Sequence, residues 1–389
     1  MEETTINRVL ICFVLLVCIF NQNCSDMQYV RYLLQGRLIT SIENQMTEIN
    51  LDAQPRFADA FDIDHDGDDD LVIIDDHDVL LIYKNVASGR LSTPPYEIVV
   101  EEGAQRIAHG DFDNDGSVDM AVSNQYSDDI AILFNGEGGD FFEVYYNEVG
   151  IEPFAISAGD LNNDGKIDLL VSHLSNNSSI SILVGQGDGN FNIKKMIEVG
   201  QIPYDIAMID LDNTGFLDIL SVNFDSNDLS VFLNVGDFLF HAEKVYPISG
   251  NPFNLTAVNF NQDDFPDVAV TLFDVDSLAI LINNGKGEFD EILKFNTGKS
   301  PLSLAAADFD GNGWEDIVVA NSEEDSLSFY FNDSDYLEQF KVGLEDNFKA
   351  TMVKICNFNQ NGYPDLVLTY FDNQKVRIYY DVFQWRKWR

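Results

Sequence analysis

The segment DFDNDGSVD, Asp111 to Asp119, places carboxylates at its first, third, fifth and ninth positions and a glycine at its sixth. Acids held this close repel one another unless a cation lies between them, and a hard cation such as calcium takes about six to eight oxygen ligands. The spacing lets one short loop wrap one ion. Gly116 suits the turn because glycine reaches left-handed dihedrals without a steric penalty. An EF-hand loop is excluded, since it needs a bidentate glutamate at position twelve and flanking helices. Position twelve here is Val122, inside an apolar run, and the acid falls at position nine instead.

The pattern is one of seven, beginning at Asp62, Asp111, Asp160, Asp210, Asn259, Asp308 and Asn357, with steps of 49 or 50 residues. The first two loops carry the full acid set, Asp62, Asp64, Asp66 and Asp70, then Asp111, Asp113, Asp115 and Asp119. The third has Asp160, Asp164 and Asp168, with Asn162 offering a neutral oxygen; the sixth has Asp308, Asp310 and Asp316, with Asn312. The fourth has Asp210, Asp212 and Asp218, with Thr214 a poorer ligand. These loops are the expected metal sites, about five calcium ions in all. The fifth loop, where Asp264 replaces the glycine, and the asparagine-rich seventh, where Asp365 is the one acid at a ligand position, are expected to keep the shape without metal, because ligand charge sets affinity.

What positions such loops is a repeat. In the third unit PFAISAG runs into the acidic loop, IDLLVSHL follows it, and ISILVG and NIKKMIEVG complete the unit after two turns. Four short strands with turn signals between them, in roughly 50 residues, are the blade of a β-propeller. The expected fold is therefore all-β, a seven-bladed propeller of four-stranded antiparallel blades over residues 45–389. Position two of every loop is apolar (Ile63, Phe112, Leu161, Leu211, Phe260, Phe309, Phe358), as expected of a plug into the core. The seventh unit supplies three strands and then ends, while Met46 to Leu51 reads as the end of a unit. That segment is expected to complete the seventh blade and close the ring, removing a free sheet edge.

DLNNDGKIDLLVS followed by SISILVGQGDGNF resembles the FG-GAP/VCBS repeat, the blade unit also found in the integrin α-subunit propeller. The resemblance covers roughly Gln54 to Tyr380. It implies an extracellular propeller with calcium in the loops joining the first two strands of each blade, and a role in adhesion or ligand binding.

Composition narrows the partners. A net charge of −44 excludes a nucleic-acid backbone, which requires a basic footprint. Val9 to Phe20 is an apolar run of 12 residues preceded by Arg8, the length of a signal-peptide core rather than of a membrane span. Residues 1–24 are read as a signal peptide or an uncleaved signal anchor, and 25–44 as a linker. The body is thus expected outside the cytosol, secreted, and membrane-bound only if the anchor stays. Sequons at Asn23, Asn176, Asn177, Asn254 and Asn332 agree with that compartment, and Cys356 sits at a core-like position where a free thiol is expected.

None of the 5 histidines, His65, His77, His109, His173 and His241, falls in a catalytic motif. The expected function is a non-enzymatic, calcium-stabilised binding or adhesion module for an extracellular protein or glycan, acting as a monomer. Two alternatives stay open: an extracellular propeller lyase or hydrolase with catalytic residues in the central channel, and a structural protein with no dedicated ligand. A ligand is expected on the face opposite the acidic loops, at turns such as Asn124 to Asp128 and Asn321 to Asp325. Phe154, Tyr204, Phe253, Phe224, Phe273 and Phe371 recur on that face, where packing between blades is the simpler role.

Overall fold

The computed structural model describes residues 46–382 except 87–88, 137, 176–177, 334–335 and 345–347. The proposed signal segment, the linker, and the sequons at Asn23, Asn176 and Asn177 lie outside the described residues.

The acidic loops recur because each closes the same hairpin. In blade three the strands are Pro153–Gly159, Asp168–His173, Ser179–Gly185 and Phe191–Glu198, each antiparallel to the next. The first is innermost, and the loop Asp160 to Ile167 joins it to the second. Seven such four-stranded sheets make a seven-bladed propeller. Second strands such as Asp70–Asp75 and Asp119–Asn124 are buried along their whole length, which explains their near-continuous apolar sequence. Outer strands such as Phe191–Glu198 are mostly exposed and mix polar with apolar residues.

The core is divided among the blade interfaces. Seven clusters of buried side chains each join two neighbouring blades. The position-two plugs seat in these layers: Ile63 lies between blades one and two, Phe112 between two and three, and Phe358 between seven and one. A blade removed from the ring would expose both of its faces. Stability is therefore a property of the closed ring.

Closure follows the expected register. Met46–Asn50 is the outer strand of blade seven, with Met46 opposite Tyr379 and Asn50 opposite Lys375, beside the inner strands Lys375–Tyr379, Asp365–Tyr370 and Met352–Cys356. Electrostatics reinforce the backbone pairing. Glu48 accepts hydrogen bonds from Lys375 Nζ at 2.5 Å and Arg377 Nε at 2.8 Å. The buried Arg377 guanidinium also lies 4.0 Å from the Phe348 ring centroid. Cys356 is a buried free thiol, raised well above its ordinary pKa by burial.

Candidate metal loops and the opposite face

Each acidic loop is built by its own carboxylates. Asp111 Oδ1 and Oδ2 accept the backbone N–H groups of Asp115 and Gly116, at 3.1 and 3.0 Å. Asp113 Oδ1 accepts Asp115 N–H, and Asp115 Oδ1 accepts Ser117 N–H. Asp62, Asp160, Asp210 and Asp308 make the same two contacts with positions five and six of their own loops. The chain can turn this tightly because position four and the glycine at six both take positive φ, 60° at Asn114 and 94° at Gly116. In the fifth loop Asp264 stands in place of that glycine and its φ is not positive.

Four loops gather three carboxylates each, with ligand oxygens all within 4.8 Å of one another: Asp62, Asp64 and Asp66; Asp111, Asp113 and Asp115; Asp210, Asp212 and Asp218; and Asp308, Asp310 and Asp316. In the first two the ninth-position acids Asp70 and Asp119 stand outside the trio; in the other two the ninth-position acid completes it. The third loop gathers no such trio, and Asn162 Nδ2 donates to Asp164 Oδ2 at 3.1 Å. The donor set is oxygen throughout, as a hard cation requires. Asp64 Oδ1 is buried without a hydrogen-bond partner, a costly state that coordination to an ion relieves. Burial and, after it, the Asp66 charge raise Asp64 above its ordinary pKa. A cation at the loop centre reverses that tendency. The residues present therefore fit a divalent ion.

The ninth-position aspartate has a second role that the loop spacing did not reveal. In all seven blades one oxygen accepts the N–H of the position-two plug, at 2.9–3.1 Å. The other accepts an N–H at the end of the third strand, at 2.7–3.0 Å. Burial raises Asp70 and Asp119 to about 7, Asp168, Asp218, Asp267 and Asp365 to about 6, and Asp316 to about 8. The contact is present in loops five and seven as well, so it does not require the full set of loop acids.

The third-strand residue is an asparagine in five blades, Asn85, Asn135, Asn234, Asn283 and Asn332. Its Nδ2 crosses to the preceding blade and donates to the carbonyl of that blade's plug, Phe358, Ile63, Leu161, Leu211 and Phe260 respectively. Asparagine recurring about 24 residues after five of the seven loop starts was the available sequence signal. Blade seven breaks the pattern with Asp381, which cannot donate; its carboxylate instead accepts Asn359 Nδ2 at 2.9 Å and Asn361 Nδ2. An internal acid thus sits among the seventh loop's asparagines.

The opposite face carries the turns between second and third strands and the starts of the inner strands. Phe154, Tyr204 and Phe253 touch in sequence, edge-on and then tilted, with centroids 4.7 and 4.2 Å apart, and Phe224 and Phe273 join them from the turns. These aromatics pack blade against blade. Asn124 and Asn321, expected among the ligand-facing turn residues, are fully buried strand ends instead. Asn124 Nδ2 donates to Asp129, and Asn321 binds Ser326 and Ser328, so they tie the turns rather than present them. Tyr126 (64% exposed) and Val275 (49% exposed) are the large apolar side chains that the turns offer to solvent.

The side-chain amides of two sequon asparagines are engaged within the fold. Asn254 Nδ2 donates to Asp205 and its Oδ1 accepts Leu304 N–H. Asn332 is buried, its amide spent on Phe260 O. His173 is likewise enclosed, its two ring nitrogens against Ile151 O and Ser181 Oγ, and His109 stacks on Phe61 at 4.1 Å.

Sequence models of the FG-GAP-like repeat match six overlapping segments, 62–122, 111–171, 160–221, 210–270, 259–319 and 308–368. A search of curated proteins found no significant match. Among solved structures, BBS1N in complex with ARL6DN is similar at 16% identity and a TM-score of 0.63, over 86% of this chain and 95% of the other. A catalytically inactive virginiamycin B lyase from Staphylococcus aureus with quinupristin aligns at 13% identity and 0.58, over 86% and 98%. A functionally unknown protein from Desulfotomaculum acetoxidans aligns at 13% and 0.56, over 79% and 90%. At these identities the likeness is one of fold.

Proposed function

The chain belongs to the FG-GAP-like repeat family, and from that premise we propose that it is a secreted, calcium-stabilised propeller that binds an extracellular protein or glycan without catalysis. The observation that carries this reading is the division of labour between faces. The acidic side chains of one face are engaged with their own loop backbones and converge on ion-sized sites. The other face presents turns pinned by buried residues such as Asn124, with Tyr126 exposed beside them. Exposed residues on turns held by a rigid scaffold are where binding concentrates. BBS1N, which shares the fold, is seen in complex with another protein, ARL6DN.

Calcium in this reading acts through the fold. An ion in each of the first four loops and the sixth would neutralise the clustered carboxylates and lock the inner hairpins. Neighbouring loops are linked, since Asn163 Nδ2 donates to Gly215 O and Asn213 Nδ2 to Asp264 O, both at 2.7 Å. The ions would thus rigidify one face as a unit and fix the turns on the other.

The test is capture from extracellular extracts with immobilised protein in calcium. Tyr126→Ala and Glu323→Ala, on separate turns, should weaken capture with the melting temperature nearly unchanged. Asp113→Ala should lower stability and reduce capture only as far as folded protein is lost. A folded Asp113→Ala protein that captures nothing while the turn variants capture normally would place the ligand on the ions and overturn the reading.

A further inference from the structure

The axis of the ring holds a cavity of about 350 Å³ lined by residues of all seven inner strands. Its most unusual member is Arg106. The chain carries 66 acids against 22 bases, and the other arginines and lysines near the axis or the closure are paired: Arg56 with Asp78, Lys354 with Asp59, Arg377 with Glu48. Among the described residues Arg106 has no ion-pair partner. Its guanidinium carbon lies 5.1 Å from the Phe57 ring centroid and 4.8 Å from that of Phe154, so aromatic faces hold it from two sides. Nη1 donates to Gln105 O at 3.1 Å. Nε and Nη2 have no hydrogen-bond partner among the described residues.

A guanidinium fixed in this way, with donors left over, is a preformed anion handle, and carboxylates match its fork in two parallel hydrogen bonds. The acid that shares the channel cannot fill that role. Asp205 is committed to the ring itself, accepting Asn254 Nδ2, Leu255 N–H and Ile206 N–H. Its charge raises Arg106 while burial, the larger effect, lowers it. Asp205 also sets a limit on the ligand, because a second negative charge in the channel would meet a fixed carboxylate. The walls also include Arg56 and Lys354, each held by an acid of its own; the rest are apolar or neutral, among them Tyr204, Phe253, Ile107 and Thr256. The volume lies at the small end of the range for ligand pockets, roughly 300–1,000 Å³.

We propose that the axial cavity is a binding site for a small monocarboxylate with an apolar body, its carboxylate on Arg106 Nε and Nη2 and its body against the aromatic walls. This goes beyond the turn-face binding proposed above and does not depend on it. The probes are phenylacetate, its neutral analogue phenylacetamide, and inorganic phosphate, titrated into the calcium-loaded chain by calorimetry and ligand-observed NMR. Phenylacetate should bind at one site per chain with a dissociation constant on the order of 1 mM or tighter. Phenylacetamide should bind at least about tenfold more weakly. Arg106→Lys should weaken phenylacetate about tenfold by removing the fork, and Arg106→Gln should abolish binding. Thr256→Phe, which makes no change to Arg106 or to the hydrogen bonds of Asp205, should block the site by filling it. If the arginine variants fail to fold, Thr256→Phe decides. No phenylacetate binding to the folded chain at about 10 mM, equal binding of the amide, or undiminished binding to Thr256→Phe would each overturn the proposal. Tighter binding of phosphate than of phenylacetate would overturn the carboxylate assignment.

Discussion

Asn283→Ala should destabilise the ring by about 3 kcal/mol, and the figure can be worked from four contacts. Asn283 is 2% exposed. Its Nδ2 donates to Leu211 O at 2.7 Å and Pro266 O at 2.9 Å, and its Oδ1 accepts Gly285 N–H at 3.0 Å. The backbone N–H to Asp267 survives the substitution. Three side-chain hydrogen bonds are lost, each with a net value of about 0.5–1.5 kcal/mol. The Leu211 carbonyl, on a fully buried residue, is left unsatisfied, a state that costs about 1–3 kcal/mol. Asn283→Asp should be at least as damaging, because a carboxylate cannot donate and would face two carbonyls. Blade five is the right place for the test, since its loop is not an expected metal site and metal affinity should stay unchanged. The assay is equilibrium urea unfolding at fixed calcium, read by circular dichroism and fluorescence together so that partial unfolding of single blades is detected. Stability within about 0.5 kcal/mol of the parent chain, as for a surface substitution, or an aspartate variant as stable as the parent, would refute the inter-blade latch.

Glu48→Gln should loosen ring closure by about 2 kcal/mol, seen first as faster hydrogen exchange in residues 365–379. The same contact has a pH signature: the Lys375 hydrogen bond, then Arg377, holds Glu48 below its ordinary value of 4.5, against burial. Because the folded value is the lower one, the clasp's contribution is complete above 4.5 and is lost as pH falls through the folded value; the parent chain's advantage over Glu48→Gln should vanish there. Cys356, buried with a raised pKa, should resist a thiol reagent until the chain is unfolded, and reaction at the native rate of an exposed cysteine would contradict the packing of blade seven. Protein made in a secretory host should carry no glycan on Asn254 or Asn332, as peptide mapping by mass spectrometry can check; a glycan on either in folded protein would refute the contacts assigned to those amides.

The architecture was legible because one period governs it. Seven loops at steps of 49 or 50 residues imply one blade each, and an unfinished seventh unit beside an orphan strand at Met46 implies the closure that the register shows. The plug at position two was legible for the same reason: an apolar residue in a polar loop has few other roles. What escaped the sequence lies between units. Asn283 and its equivalents look like turn residues until the neighbouring blade is in place and its buried carbonyl needs a donor. Asn124 and Asn321 misled in the same way, since asparagine beside a turn reads as exposed when its amide is in fact spent under the turn. Arg106 had no signal at all, because only the ring brings it against Phe57 and Phe154 from two other blades.

If calcium in the acidic loops holds this ring together, the number of bound ions and the melting temperature must change together. Native mass spectrometry of the folded chain should show about five calcium ions, and none should be lost on replacing Asp263 in the fifth loop or Asp365 in the seventh if those proteins fold. With each site at about ten times its dissociation constant, linkage gives about 1.4 kcal/mol per site and about 7 kcal/mol in all, comparable to the whole stability of many domains. Chelation should therefore lower the melting temperature by many degrees, with calcium restoring it and magnesium restoring little. A folded chain that carries no calcium, or one whose melt is the same with excess chelator, would contradict the account.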